Sequence, residues 1–328
     1  MTLKRADLHV HTSFSRWKHF AGLQTRDCYS DPLDVYHRAK QVGMDFVAIT
    51  DHDTIEGALD LLGRRPDLEP EIIVGEEVET YFPGTGQWVH VNVFGLDEQD
   101  HAEISRLRQD VFDLVAYLRE RRLFHVLNHP FQSHHLLGST PEYVETILRL
   151  FDGFEVRNAA LSCRHNRAVS ELLEYASITW GRRHAVGGSD AHVLSDIGLC
   201  HTEAPVPAGA APGADKTAWL AAVARGEGQV VGRSISAARL AANIFRVVGR
   251  YYLSLLDGEV RRKMTPAARL VAALYAPTCL LGLPAWLSLG NTVRLEAVTL
   301  QVRHTLKRMQ SAELASLPSP GLLEDPQE

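Results

Sequence analysis

From Ala6 to about Val231, short apolar runs alternate with stretches whose apolar side chains recur every three or four residues. That alternation is the pattern of strands interleaved with amphipathic helices, which build parallel sheets and α/β barrels. The runs predict strands at 6–11, 45–50, 72–80, 88–95, 123–128, 153–157, 184–188 and 229–232. Ser30-Asp31-Pro32 supplies a cap and a first-turn proline, and Gly43 a stop, so a helix is expected between them. Residues 102–122 predict one long helix with Ile104, Leu107, Val111, Leu114, Val115 and Leu118 on one side, and Thr140-Pro141-Glu142 opens another. Between the third and fourth strands, Pro83-Gly84-Thr85-Gly86 predicts a tight turn where a regular barrel would place a helix. The Ala-, Pro- and Gly-rich stretch 205–215 is expected to be a loop before a last barrel helix at about 216–225.

Beyond about Ser236 the pattern becomes almost wholly helical, basic and apolar. The expected organisation is a barrel over 1–235, a helical extension over 236–315 and a disordered Pro/Ser/Glu tail over 316–328. Leu270 to Thr292 carries no charged side chain, which by length permits a membrane span. Pro277, Gly282, Pro284, Gly290 and Asn291 interrupt it, so packing against the barrel or a partner is the preferred reading over membrane contact.

Composition sharpens this picture in three places. The formal charge of −6 over 328 residues argues against a protein that coats nucleic acid, so stable nucleic-acid binding is not expected. Cys28, Cys163, Cys200 and Cys279 form no CxxC pair, and the N-terminus lacks an apolar signal-peptide core. Reduced thiols and a cytoplasmic location are the expectation. Histidine is in excess, at 16 residues, and concentrated before residue 202.

Those histidines fall in clusters with carboxylates. In Asp7-Leu8-His9-Val10-His11-Thr12 the period of two puts both imidazoles on one face, where they can chelate one ion. Thr50-Asp51-His52-Asp53, Gly75-Glu76-Glu77, Val89-His90-Val91, Leu127-Asn128-His129 and Gly188-Ser189-Asp190-Ala191-His192 each follow an apolar run. Every cluster is expected at the carboxyl end of its strand, where α/β barrels keep their chemistry. Six independent coincidences are a poor alternative to one shared site. Imidazole plus carboxylate suits Zn²⁺, Mn²⁺ or Fe²⁺, and about eight candidate ligands accommodate at least two ions.

The ordered set DLHVHT, TDHDT, GEEVET, VHV, LNHP and GSDAH over residues 5–202 resembles the polymerase-and-histidinol-phosphatase (PHP) phosphoesterases. The resemblance implies a distorted (β/α)7 barrel, TIM-like, with two or three metal ions. It implies that His9, His11, Glu77 and Asp190 hold a first ion, that Glu77 bridges to a second held by His90 and His129, and that His52 and His192 face a third. The chain departs from the family where an aspartate or histidine usually follows the HxHT motif, because Ser15-Arg16-Trp17 stands there. His19, Asp27 and Asp31 are the candidate substitutes.

The expected reaction is hydrolysis of a phosphate mono- or diester, of a nucleotide or small metabolite, by a hydroxide bridging two ions. Asp190 and His192 are expected at the reacting centre, with Arg157 as the first choice for holding phosphate and Arg164 and Arg16 behind it. Asp51, Asp53 and Glu155 are expected to orient ligands or, for Glu155, to be one. Two other classes compete: an amidohydrolase-type C–N hydrolase, and a non-catalytic metal-binding barrel serving a partner through its helical extension.

Overall fold

The chain forms β1 (Thr2–Asp7), α1 (Pro32–Gln41), β2 (Phe46–Ile49), α2 (Glu56–Arg64), β3 (Ile72–Tyr81), β4 (Trp88–Phe94), α3 (Glu98–Leu107) and α4 (Val111–Glu120). There follow β5 (Phe124–Asn128), α5 (Thr140–Leu150), β6 (Gly153–Asn158), α6 (Cys163–Trp180), β7 (His184–Gly188), β8 (Cys200–Val206), α7 (Ala214–Ala224) and β9 (Gln229–Gly232). Four helices complete it: α8 (Ala237–Ser254), α9 (Gly258–Lys263), α10 (Pro266–Leu280) and α11 (Leu283–Ser316). This computed structural model describes residues 1–16, 25–133, 140–181, 183–208 and 213–316. His19 and the tail beyond Ser316 lie outside the described residues.

Among the described residues the strands make one sheet in the order β7-β6-β5-β4-β3-β2-β1-β8-β9. It is a nearly closed, distorted α/β barrel. At the rim the ring closes where Val10 bridges Ala191 in parallel, with His11 N donating to Ala191 O at 3.1 Å and Ala191 N to His9 O at 3.3 Å. Below that rim β8 runs antiparallel to β1 and β9 antiparallel to β8. Thr202 on β8 ties this pair to β7, since its hydroxyl accepts from Gly187 N and donates to Gly187 O. At the opposite end Trp219 from α7 is fully buried, donates its indole N–H to Lys4 O and packs on Phe46. Ala6, Leu8, Ala48, Ile73, Val126 and Val186 join it in an apolar plug, so the polar chemistry is left to the other rim.

Three expectations need correction. The long helix over 102–122 is two helices, because Asp97 and Asp100 form a capping box that starts α3, and Asp110 accepts from Phe112 N to start α4. The stretch around Pro205 is not all loop, since Cys200–Val206 is a strand with alternating burial. Finally, the turn at 83–86 makes β3 and β4 an antiparallel hairpin, paired from Gly75↔Phe94 to Tyr81↔Trp88. The rim end of β4 is therefore its N-terminal end, and His90 enters the site from there rather than from a carboxyl end.

The extension joins the barrel through α11, whose Leu295, Val298, Val302 and Leu306 are buried in the same cluster as Ile147 of α5 and Leu172 of α6. Arg303 pairs with Glu171 at 2.6 Å, and Arg239 on α8 with the buried Asp196 at 2.6 Å. No single helix among the described residues is long and apolar enough to cross a membrane. The uncharged stretch is divided at Gly282, φ +98°, and on either side Leu270, Leu274, Leu281, Trp286 and Leu287 point into solvent.

Candidate metal centre

Glu77 lies in the middle of β3, fully buried, and both carboxylate oxygens face imidazoles. Oε2 stands 3.1 Å from His9 Nε2, 3.1 Å from His52 Nδ1 and 3.4 Å from His11 Nε2. Oε1 stands 2.9 Å from His90 Nδ1 and 3.0 Å from His129 Nε2, and accepts from Asn128 Nδ2 at 3.1 Å. Asp190, on the loop after β7, approaches His9, His11 and His192 at 3.6, 3.4 and 3.5 Å. All eight expected ligands thus converge on one rim, supplied by β3, β4 and the segments that follow β1, β2, β5 and β7.

The rim residues are fixed by their neighbours. Glu155 on β6 accepts His9 Nδ1–H at 2.9 Å, which leaves His9 Nε2 turned toward Glu77 and Asp190. Its other oxygen takes His129 N–H at 3.2 Å and Asn158 Nδ2 at 3.0 Å. Ser15 bonds His11 Nδ1 at 3.1 Å and accepts the backbone N–H of His52 at 3.2 Å, so it orients one imidazole and pins the backbone that carries the other. Asp51 accepts from both the amide and the hydroxyl of Thr12 and pins the segment carrying His11. Asp53 accepts Glu79 N–H at 2.9 Å and pairs with Arg108, fixing the loop behind His52. Asp7, which the sequence reading passed over, accepts from Ser189 and Gly198 amides and ties β1 to the loop bearing Asp190. Its signal was present in the sequence: an aspartate two positions before His9, in the same period-two run as the HxH pair. Asp53, His129 and Asp190 sit at φ of +49°, +26° and +53°, a conformation that costs energy for residues other than glycine and gathers here at one rim.

Of the three substitutes for the missing family residue, the structure brings Asp27 to the site. Asp27 is buried, with Oδ2 3.3 Å from His52 Nε2 and 3.7 Å from His192 Nε2. Asp31 instead caps α1 and pairs with Arg64. Donor atoms of His11, Asp27, His52 and His192 lie within 4.8 Å of one another, as do those of His9, His11 and Asp190, of His9, His129 and Glu155, and of His52, Glu77 and His90.

The electrostatics show groups set against each other. Burial alone would raise Glu77, but His9, His90, His52 and His129 hold it well below the ordinary carboxylate range. Burial would lower His9, yet Glu77, Asp190 and Glu155 lift it well above an ordinary imidazole. Against the same burial, Glu77 and Glu79 raise His90 to about 10, and Asp27 raises His192 to about 9. His11 goes the other way, pushed down to about 4 by burial and by His192 beside it. Burial pushes Asp51 up to about 7 in spite of Thr12.

These residues fit divalent ions. His9 Nε2, His11 Nε2 and both oxygens of Asp27 are buried without a hydrogen-bond partner, although carboxylates or imidazoles stand within 4 Å of them. Unmatched buried polar atoms are costly, and a cation among them satisfies several together.

The arginines expected to hold phosphate are dispersed. Arg157 donates Nη1–H to Gly232 O at 2.8 Å. Arg164 is 72% exposed and pairs with Glu296. Arg16 is exposed, and its backbone forms an antiparallel bridge with that of Arg26, the residue before Asp27. Outside the centre, His165 is buried against Phe131 and pushed down to about 3 by that burial, and His125 bonds Leu123 O.

The PHP-associated family model matches residues 182–211, which contain β7, Asp190 and His192. An uncharacterized protein of Methanocaldococcus jannaschii is 36% identical over 76 residues, 23% of this chain and 44% of that protein. A 5'-3' exoribonuclease of Haemophilus influenzae is 29% identical over 120 residues, 36% of this chain and 37% of that one. The chain thus aligns with less than half the length of these curated relatives. The crystal structure of PsfC from Pseudomonas syringae shares the fold, with a TM-score of 0.52 at 18% identity over 78% of this chain and all of PsfC.

Proposed function

We propose that the chain is a metal-dependent phosphoesterase of the PHP-domain family, cleaving a phosphate mono- or diester in a nucleotide or small metabolite, a reading supported by the PHP-associated match at 182–211 and by the ordered ligand motifs. The observation that carries the reading is Glu77, whose two buried oxygens face five imidazoles in two groups, as a carboxylate shared between ions must.

Bound there, two or three divalent ions of the Zn, Mn or Fe type supply Lewis acidity and water of lowered pKa. The protein's own part is placement. Glu155 and Ser15 hold His9 and His11 by their Nδ1 atoms and so aim both Nε2 atoms inward. Asp190 and His192, partly exposed members of the ligand set, are among the groups that an incoming substrate would meet first. Arg16 and Arg26, exposed and joined by a backbone bridge one residue from Asp27, are the candidates for holding the ester's negative charge, while Arg157 braces β9 through Gly232. A phosphate ester is favoured over an amide because of two exposed arginines, Arg26 next to Asp27 along the chain and Arg16 bridged to Arg26, and because one partial relative bears the name of an exoribonuclease.

The test is hydrolysis of p-nitrophenyl phosphate and bis(p-nitrophenyl) phosphate by the full chain with Mn²⁺, Zn²⁺ or Fe²⁺. Turnover that disappears with His9→Ala and Asp190→Asn is expected. Metal-loaded protein that cleaves neither ester but opens an amide or cyclic C–N substrate would reassign the site.

A further inference from the structure

Between positions 236 and 295 the chain has eight arginines and lysines against two acidic residues, in a protein of overall charge −6. Arg250, Arg261, Arg262 and Arg269 are exposed and make no ion pair among the described residues. Inside this basic frame lies the uncharged stretch from Leu270 to Thr292. Its side chains do not fold back on the barrel: Leu274 is 66% exposed, Leu281 84% and Trp286 70%. Soluble monomers seldom leave contiguous apolar surface of this kind unpartnered.

The geometry selects among partners. α10 and α11 meet at Gly282 with a bend of 74°, so Leu281 stands at a corner, flanked by Leu274 and Tyr275 on one arm and Trp286 and Leu287 on the other. α10, at 15 residues, is about 22 Å long, short of the roughly 30 Å of hydrocarbon in a bilayer. The far half of α11 is pinned to the barrel by Val298, Val302 and Leu306. Neither arm can span, yet the corner can enter an interface. Exposed tryptophan, tyrosine and leucine at the corner, with exposed arginines on α8, α9 and the first turn of α10, are the residue types of an interfacial anchor. A second copy of the chain fits worse, since a two-fold contact through this corner brings the same unpaired arginines together.

We infer that the α10–α11 corner docks the protein on an anionic lipid bilayer, the leucines and Trp286 at headgroup depth and Arg250, Arg261, Arg262 and Arg269 against lipid phosphates. The experiment is flotation of the full chain with phosphatidylcholine vesicles, with and without phosphatidylglycerol. Binding is expected to the mixed vesicles, to weaken with salt, and to be lost in Leu281→Glu/Trp286→Glu. Arg261→Glu/Arg262→Glu should lower the partition coefficient roughly tenfold or more, given the contribution of each arginine near such a surface. Both variants change exposed positions, and an unchanged thermal melt shows that each is folded. The inference is overturned if the chain does not float with the mixed vesicles, if the variants float as the parent does, or if sedimentation finds a dimer that Leu281→Glu/Trp286→Glu dissociates while no vesicle is bound. None of these readouts depends on hydrolysis.

Discussion

The barrel and the helical extension solve the same problem in opposite directions. In the barrel the apolar side chains are inside, and the unusual residues are the buried charged ones, most of them gathered at one rim. In the extension the charged residues are outside as usual and the unusual ones are apolar and exposed. Of the 18 large apolar side chains that are exposed among the described residues, 13 lie between Phe245 and Leu300, and that bias decides which region is read as a surface for something else. Functional residues show in each region as the ones that break its local rule.

The sharpest way to break this comparison is one substitution made in both regions. Leu172→Ala, fully buried between α6 and the sheet, should cost about 2–5 kcal/mol in denaturant unfolding, and a loss below 1 would mean that the α6 layer is not part of the cooperative core. At the rim, Glu77→Gln should lower turnover by more than about 100-fold, beyond what is usual for a residue behind the ligands, with metal content falling in parallel. Gly188→Ala tests the packing under the site, because its methyl would meet His9 Cβ at 2.3 Å. It should destabilise by about 1–3 kcal/mol and shed metal, and a variant with full metal content would disprove the close approach.

Smaller in size is a dependence on pH. His90 at about 10 and His192 at about 9 keep their protons through neutral pH in the metal-free protein. Their contribution to metal-free stability is complete below the ordinary imidazole value of about 6.5 and is lost as pH rises through 9 to 10. An ion must displace the same protons, so metal affinity should rise over that window while the metal-free melting temperature falls. Calorimetry in buffers of different ionisation enthalpy checks the proton release. At the bottom of the scale, Leu281→Ala should change stability by no more than about 0.5 kcal/mol, because Leu281 has no packing to lose.

Much of this could be read from the residues alone, and the exceptions have physical reasons. The ligand clusters were legible because strands of period two end in polar groups that a barrel would not otherwise tolerate. The direction of β4 was implied by the turn at 83–86, yet an apolar run does not state which way it points. β8 was hidden because His201, Glu203 and Pro205 take its half-buried positions and dilute its apolar alternation. Asp27 could not be separated from Asp31 by composition: one is aimed at His52 and His192, the other spent on a helix cap. The apolar stretch at 270–292 was recognisable, but whether its leucines face protein or solvent depends on where α10 and α11 turn at Gly282.

The order of strands carries one more consequence. Around most of the ring each strand pairs with its neighbour in sequence, so assembly can proceed by short loops, but the join of Val10 to Ala191 brings together segments 181 positions apart. That seam is the expensive closure of the whole molecule. His9 and His11 lie on one side of it and Asp190 and His192 on the other, so an ion held between them is also a rivet across the last gap to shut. The affinity that serves chemistry would then also keep the ring closed, and stripping the metal should loosen this seam before any other part of the barrel.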